Sequence, residues 1–163
     1  EKPLVLDADG LNALSALGTD ALLSAKAPVI LTPHMMEFSR LTGKTIAEIR
    51  EERFPIARAF AQKYRVTLAL KDASTLIVSP DGEMVMNQNG NPGLSKGGSG
   101  DTLAGIIASL LAQGSSPFDA AALGVWLHAE AGDFAEKEKT AYAMLPQDVI
   151  RSLPAAFSKL LSL

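Results

Sequence analysis

The sequence predicts an α/β fold built on a mostly parallel central sheet, and three observations predict it. Residues 3–7, 28–32 and 66–70 are short apolar runs without polar alternation, the pattern of strands buried on both faces. Between these runs, apolar residues recur at helical spacing, so strand and helix alternate along the chain. A glycine-rich stretch, residues 89–105, then leads into a segment with Leu103, Ile106, Ile107, Leu110 and Leu111 at i, i+3, i+4, i+7 and i+8, one face of a helix.

Composition sets the limits. The chain has 163 residues, 47% hydrophobic and 20% charged, with a net charge of −3, which suits one globular domain with a core. The mild acidity leaves no electrostatic footprint for nucleic acid or an anionic membrane. With no cysteine there is neither a disulfide framework nor a thiolate metal site. No apolar run approaches the ~20 residues of a membrane span, and a reducing, cytoplasmic setting is the expectation. Because the chain opens on Glu1-Lys2-Pro3, one step from a buried strand and without an initiator Met, a fragment or processed piece is expected.

The first strand ends at Asp7, with Asp9 just beyond, where open α/β sheets place ligands. These acids, with Asn12, could hold a metal or a substrate hydroxyl; alternatively Asp9 caps a helix carrying Leu11, Leu14 and Leu17 on one side. Pro33 stops the second strand. His34 follows in a loop before a helix that runs through Leu41 to Gly43, and is either structural or in touch with substrate. Thr45 and Glu48 form a capping box. Pro55 places the start of the next helix near Arg53, since a proline needs no N–H partner in the first turn, and Ile56, Phe60 and Tyr64 face inward. The third strand ends at residues 71–75. Residues 76–79 and 84–86 around Pro80-Asp81-Gly82 make a hairpin that delivers the chain to the glycine loop.

That loop contains six glycines, five of them ahead of a single carboxylate, Asp101. Glycines let backbone N–H groups approach a ligand, and a helix N-terminus adds about half a positive charge, so the loop is an anion site. Asp101 sharpens the chemistry. The helix dipole favours it by about 0.3–1 kcal/mol, yet it would repel a permanently bound phosphate. A transient anion, or a proton or metal in between, resolves the conflict, and a general base beside a moving phosphoryl group meets that condition. The plainer alternative is a helix-capping Asp101 after a tight turn. Two other glycine motifs are excluded: after Gly98 and Gly100 the dinucleotide fingerprint needs glycine where Leu103 stands, and Lys96 lies between Ser95 and Gly97 rather than in Gly-Lys-Ser/Thr. Beyond the loop, Gly114 is a helix C′ residue and Ser116-Pro117 opens a helix with Ala121, Val125, His128 and Ala129 inward. His128 among alanines reads as a core histidine rather than a ligand. Leu145-Pro146-Gln147-Asp148 opens a last helix through Leu153 and Phe157, which Pro154 is expected to interrupt.

Four segments occur together in order: Leu6-Asp7-Ala8-Asp9-Gly10-Leu11-Asn12, Leu31-Thr32-Pro33-His34-Met35-Met36-Glu37, Leu70-Lys71-Asp72-Ala73-Ser74-Thr75, and the loop from Asn89 to Asp101. With them, nearly the whole chain resembles the ADP- or ATP-dependent NAD(P)H-hydrate dehydratases of the ribokinase-like superfamily. The Gly-Gly-Ser-Gly-Asp segment indicates only the superfamily; Thr-Pro-His and Asn-Pro-Gly narrow it to the dehydratases. The resemblance implies a three-layer α/β/α fold lacking its N-terminal portion here, with the missing part supplied by another chain or lost. It also implies a repair reaction, in which the ring hydroxyl of hydrated NADH or NADPH is phosphorylated and phosphate is then eliminated. By the family pattern Asp101 is the base and a hydrate contact, and His34 and Asn91 also touch the hydrate. Lys71, Asp72, Ala73, Ser74, Thr75, Gly98 and Gly100 line the adenine nucleotide, and Mg²⁺ accompanies ADP or ATP with no protein ligand assigned. A homo-oligomer and an NAD(P)H-hydrate epimerase domain or partner are implied as well. Three departures stand out. Asp72 replaces a usual Gly, Met35-Met36 a usual Pro-Gly, and Lys96 a frequent Thr, a cation placed to offset Asp72 in part. A small-alcohol kinase of the same superfamily, acting on a vitamin precursor, or a catalytically silent nucleotide-binding module are the alternatives.

Overall fold

The computed structural model describes residues 2–162. Five strands form one mixed sheet in the order β1 (Leu4–Leu6), β2 (Val29–Leu31), β3 (Thr67–Leu70), β4 (Thr75–Val78) and β5 (Met84–Asn87). β1 pairs with β2 and β2 with β3 in parallel, whereas β3–β4 and β4–β5 are antiparallel. Only β4 runs against the other four, so the carboxyl ends of β1, β2, β3 and β5 share one edge.

Alternation along each strand divides the core in two. Val29 and Leu31, Leu68 and Leu70, and Leu76 and Val78 face α1 (Ala8–Leu17), α2 (Met35–Thr42), α3 (Ile46–Glu51) and α4 (Arg53–Tyr64). Ile30, Ala69 and Ile77 face the other way, toward α5 (Ser99–Ala112), α6 (Pro117–Ala143) and α7 (Pro146–Leu160). The result is three layers, with the sheet between two sets of helices. Short 3₁₀ turns at Thr19–Ser24 and Pro92–Ser95 complete the chain.

Local chemistry fixes most helix ends. Thr45 and Glu48 close the capping box expected of them, at 3.2 Å and 2.7 Å, and Pro55 sits in the first turn of α4. Gly114, at φ 95°, ends α5, and Ser116 caps α6 by accepting from the Asp119 N–H. In the β4–β5 turn, Gly82 takes φ 89° and its N–H donates to the Ser79 carbonyl at 3.0 Å. Ile56, Phe60 and Tyr64 are all buried, as expected.

Three expectations are corrected. β1 is not buried on both faces: it lies at the sheet edge, paired only with β2 among the described residues, and Leu4 is 48% exposed. Leu17 does not share the inner face of α1 with Leu11 and Leu14; at the last turn it is 81% exposed. Pro154 does not interrupt α7, which continues through it. Pro154 lies on the exposed side, where water can satisfy the Ile150 carbonyl that receives no N–H from it.

Phe38 on α2 is fully buried and meets Phe60 of α4 edge-on, with centroids 5.1 Å apart. Phe38→Ala is expected to lower unfolding free energy by about 3–5 kcal/mol in urea denaturation; a loss under about 1 kcal/mol would mean that this layer repacks freely.

Candidate active site

The shared carboxyl edge gathers chemistry from distant parts of the chain. Asp7 ends β1, His34 follows β2 by way of Pro33, and Lys71 follows β3. The Lys71 N–H donates to the Pro33 carbonyl at 2.8 Å, and a parallel bridge joins His34 to Lys71. The Lys71 ammonium donates to Asp7 Oδ1 at 2.8 Å. Arg53, at the start of α4, supports the residues after β3: its Nη2 donates to the Leu70 carbonyl at 3.2 Å and also to that of Ser74. Burial pulls the Arg53 guanidinium below its usual value, and the charge of Asp72 opposes that shift.

His34 is the N-cap of α2. Its Nδ1 accepts from the N–H groups of Met36 and Glu37, each at 3.2 Å, while Glu37 Oε2 accepts from the His34 N–H at 2.8 Å. A ring nitrogen that accepts carries no proton, so the Nε2–H tautomer is the one the cap selects, and Glu37 Oε1 lies 3.4 Å from Nε2. The side chain remains half exposed beside the cleft.

The glycine loop is anchored from behind. Asn91 Oδ1 accepts from the Gly93 N–H at 2.9 Å, and its Nδ2 donates to Asp133 on α6 at 3.0 Å. The Lys96 ammonium donates to the carbonyls of Ala141, Tyr142 and Met144 at 3.1, 2.7 and 2.7 Å. These carbonyls lie just past Thr140 (φ 66°, ψ 156°), where α6 breaks. Lys96 therefore holds a helix end, and a cation on which the charge of Asp72 acts is Arg53. Gly98 enters α5 at φ 88°. Among the described residues the backbone N–H groups of Gly100 and Asp101 have no acceptor, and the Asp101 carboxylate has no hydrogen-bond or ion-pair partner.

These parts enclose a cleft of about 900 Å³, of the size that binds small ligands. Of the sequence-predicted site residues it is lined by His34, Lys71, Asp72, Ala73, Thr75, Asn91 and Gly100. Ser74, Gly98 and Asp101 do not line it. Asp101 is exposed on the first turn of α5, next to Gly100, and lines a neighbouring apolar groove between α5 and α7. Asp9 is exposed, and Asn12 accepts from Arg40 at 3.0 Å instead of joining a metal site.

Residues 1–155 match the family described as NAD(P)H-hydrate dehydratase (Carb_kinase). The chain belongs to this family. It is 47% identical over 152 residues to the bifunctional NAD(P)H-hydrate repair enzyme Nnr of Moorella thermoacetica, covering 93% of this chain and 28% of that protein. It is also 47% identical over 137 residues to the ADP-dependent (S)-NAD(P)H-hydrate dehydratase of Neisseria meningitidis, covering 82% and 45%. The ADP/ATP-dependent NAD(P)H-hydrate dehydratase of Bacillus subtilis, co-crystallised with ATP/Mg²⁺, superposes with a TM-score of 0.85 at 33% identity, covering 96% and 55%. The chain thus spans about half the length of these relatives, or less.

In this dehydratase-family chain His128 is the buried, partnered histidine that the sequence suggests, and with Ser99 it also borders the cleft. Ser99 and His128 line it side by side, with Ser99 Oγ 3.3 Å from His128 Nε2. Burial pushes the His128 imidazole down to about 4 from 6.5, and the nearby Lys71 charge adds to the fall against an opposing Ser99 backbone contact. Only the helical spacing of α6 hinted at this inward position; no motif marked His128, nor Arg53 as the prop of the 71–75 loop.

The lowered pKa sets a pH dependence. Between pH 6.5 and 4 the unfolded chain binds a proton at His128 that the folded chain does not, so stability rises with pH across that window. The full difference is about 3 kcal/mol at 1.36 kcal/mol per unit. Denaturant titrations at pH 4 to 7 should therefore show a steeper loss toward acid in the parent than in His128→Gln. Coincident slopes would mean that folded His128 titrates near its ordinary value.

Proposed function

We propose that this chain carries the nucleotide-dependent dehydration of hydrated NADH or NADPH. One observation carries the reading: a cleft at the strand ends where a lysine ammonium converges beside Gly100 with N–H groups that have no acceptor among the described residues, one residue from a carboxylate that has no partner among them. The γ-phosphoryl of ATP, or the β-phosphoryl of ADP, passes to the oxygen of the ring hydroxyl, and Asp101 takes the hydroxyl proton. The C–O bond then breaks, phosphate leaves with both electrons of that bond, and loss of a proton from the adjacent ring carbon restores the double bond. Lys71 and the α5 N–H groups stabilise charge on the moving phosphoryl, Lys71, Asp72, Ala73 and Thr75 hold the nucleotide, and His34 borders the hydrate.

Mg²⁺ fits this site as a companion of the nucleotide. Among the described residues no group of three His, Cys, Asp or Glu could cage an ion, which suits a cation held mainly by phosphate oxygens and water. When bound, it neutralises phosphate charge. The same reading carries a cytoplasmic homo-oligomer and an NAD(P)H-hydrate epimerase domain or partner, a second activity in keeping with relatives named bifunctional. Among the described residues no helix is long and apolar enough to cross a membrane.

Mixing NADH or NADPH hydrate with Mg²⁺, ADP or ATP and the protein should restore the absorbance of the reduced nicotinamide. A stable phosphate ester without recovered absorbance would make the protein a kinase instead. Asp101→Asn is expected to lower kcat by about 10²–10⁴ while nucleotide affinity stays within a few-fold. Turnover within a few-fold of the parent would remove Asp101 from the base role.

A further inference from the structure

Lys71 faces the proposed phosphate seat in company. Its ammonium lies 2.8 Å from Asp7 Oδ1, and the two side chains are only 22% and 12% exposed. A β-carbon built on Gly100 would lie 3.1 Å from Asp7 Oδ2 and 3.5 Å from Lys71 Nζ, so the carboxylate and the ammonium both sit against the start of α5. The carboxylate therefore stands at a helix N-terminus whose Gly100 and Asp101 N–H groups have no acceptor among the described residues.

The side chain of Asp7 is turned there, and the backbone beside it is strained. Asp7 is the N-cap of α1, yet its side chain makes no capping hydrogen bond to that helix and turns instead to a residue 64 positions away. The next residue, Ala8, has φ 45°, in the left-handed region that a β-carbon disfavours. Strain of this kind persists only where surrounding structure enforces it. Asp7 and Lys71 leave β1 and β3, which flank β2, so the pair spans the strand between them.

We propose that Asp7 is a positioning residue for the nucleotide phosphates: its carboxylate holds the Lys71 ammonium over Gly100 and is the resident anion that the incoming phosphates displace from that ammonium. The inference rests on the nucleotide reading of the cleft. It gives Asp7 two opposing effects. Its charge repels phosphate in the bound state, and its grip keeps Lys71 where the transferring phosphoryl needs a cation. A merely structural aspartate would, on removal, weaken binding and turnover together.

The test is calorimetric titration with Mg²⁺-ADP and Mg²⁺-ATP, together with turnover from nicotinamide absorbance. Asp7→Asn is expected to tighten nucleotide binding at least threefold and to lower kcat at least tenfold. Asp7→Glu, which keeps the charge, should leave Kd within twofold of the parent. Lys71→Met leaves Asp7 unneutralised against the phosphates and should weaken binding at least tenfold, and adding Asp7→Asn to it should recover at least threefold. Binding and turnover falling together in Asp7→Asn, or no recovery in the double variant, would overturn the proposal while leaving the nucleotide site standing. A parent protein that binds neither nucleotide would overturn the reading of the cleft and this inference with it.

Discussion

Parallel pairing of β1, β2 and β3 is the constraint on which the rest depends. Parallel neighbours cannot be joined by a tight turn, so the chain must cross back through α1 and then through α2 to α4 before each new strand. Every such strand then releases its next residue at the same edge. The bridge from His34 to Lys71 and the bond from the Lys71 N–H to Pro33 extend the pairing one step past the strands, so residues that would otherwise be loop are tied to each other as strand neighbours are. The β4–β5 hairpin preserves the geometry. By reversing direction twice it brings Asn87, and after it the glycine loop, back to that same edge.

What holds the glycine loop is a set of polar side chains bonded to backbone and to one another. A helix end leaves carbonyls without N–H partners, and α6 breaks at Thr140, a short way before α7 begins at Pro146. The Lys96 ammonium meets three of those carbonyls at once, which ties the loop to the junction of α6 and α7. Asn91 does the same between Gly93 and Asp133, and Glu130, buried on α6, takes bonds from Asn89 and from Lys159 at 2.6 Å. Buried charges of this kind contribute little net stability, because desolvation offsets most of their attraction, but removing one partner is costly. Their effect is to fix one conformation of the loop.

Much of this could be read in the sequence because it is local. The Thr45–Glu48 box, the placement of Pro55, Gly114 as a helix end and the hairpin at Pro80-Asp81-Gly82 each depend on residues within a turn of one another, and each is as expected. The cleft was legible only in outline, through residues at strand ends and through the glycine spacing. What escaped were long-range partnerships: Asp7 with Lys71 across 64 residues, Lys96 with carbonyls more than 40 positions on, and Arg53 with the Ser74 carbonyl. Lys96 and Asn91 look chemical in the sequence because polar residues near glycines suggest ligands, yet the polar atoms that place them belong to the scaffold. The outward turns of Leu4 and Leu17 escaped for a related reason: an apolar side chain at an edge or a last turn follows the same periodicity as one in the core.

The site finally presents two carboxylates near one helix start, in opposite circumstances. Asp7 is largely buried and joined to an ammonium; Asp101 is exposed and bonded to nothing among the described residues. A base must give its lone pair to the substrate's proton, and a carboxylate already committed to a lysine is poorly placed to do so. A carboxylate that steadies a cation beside a phosphoryl group, by contrast, needs that commitment. Under the proposed function a division of labour follows from this pairing: Asp7 is suited to holding charge in place, Asp101 to accepting a proton. Asp101 lines the groove between α5 and α7 while the adjacent Gly100 lines the cleft, so under the proposed function the reacting hydroxyl would have to reach the carboxylate where the two meet at the start of α5. Gly100 and Asp101, adjacent on that turn, would then address opposite partners of the same transfer.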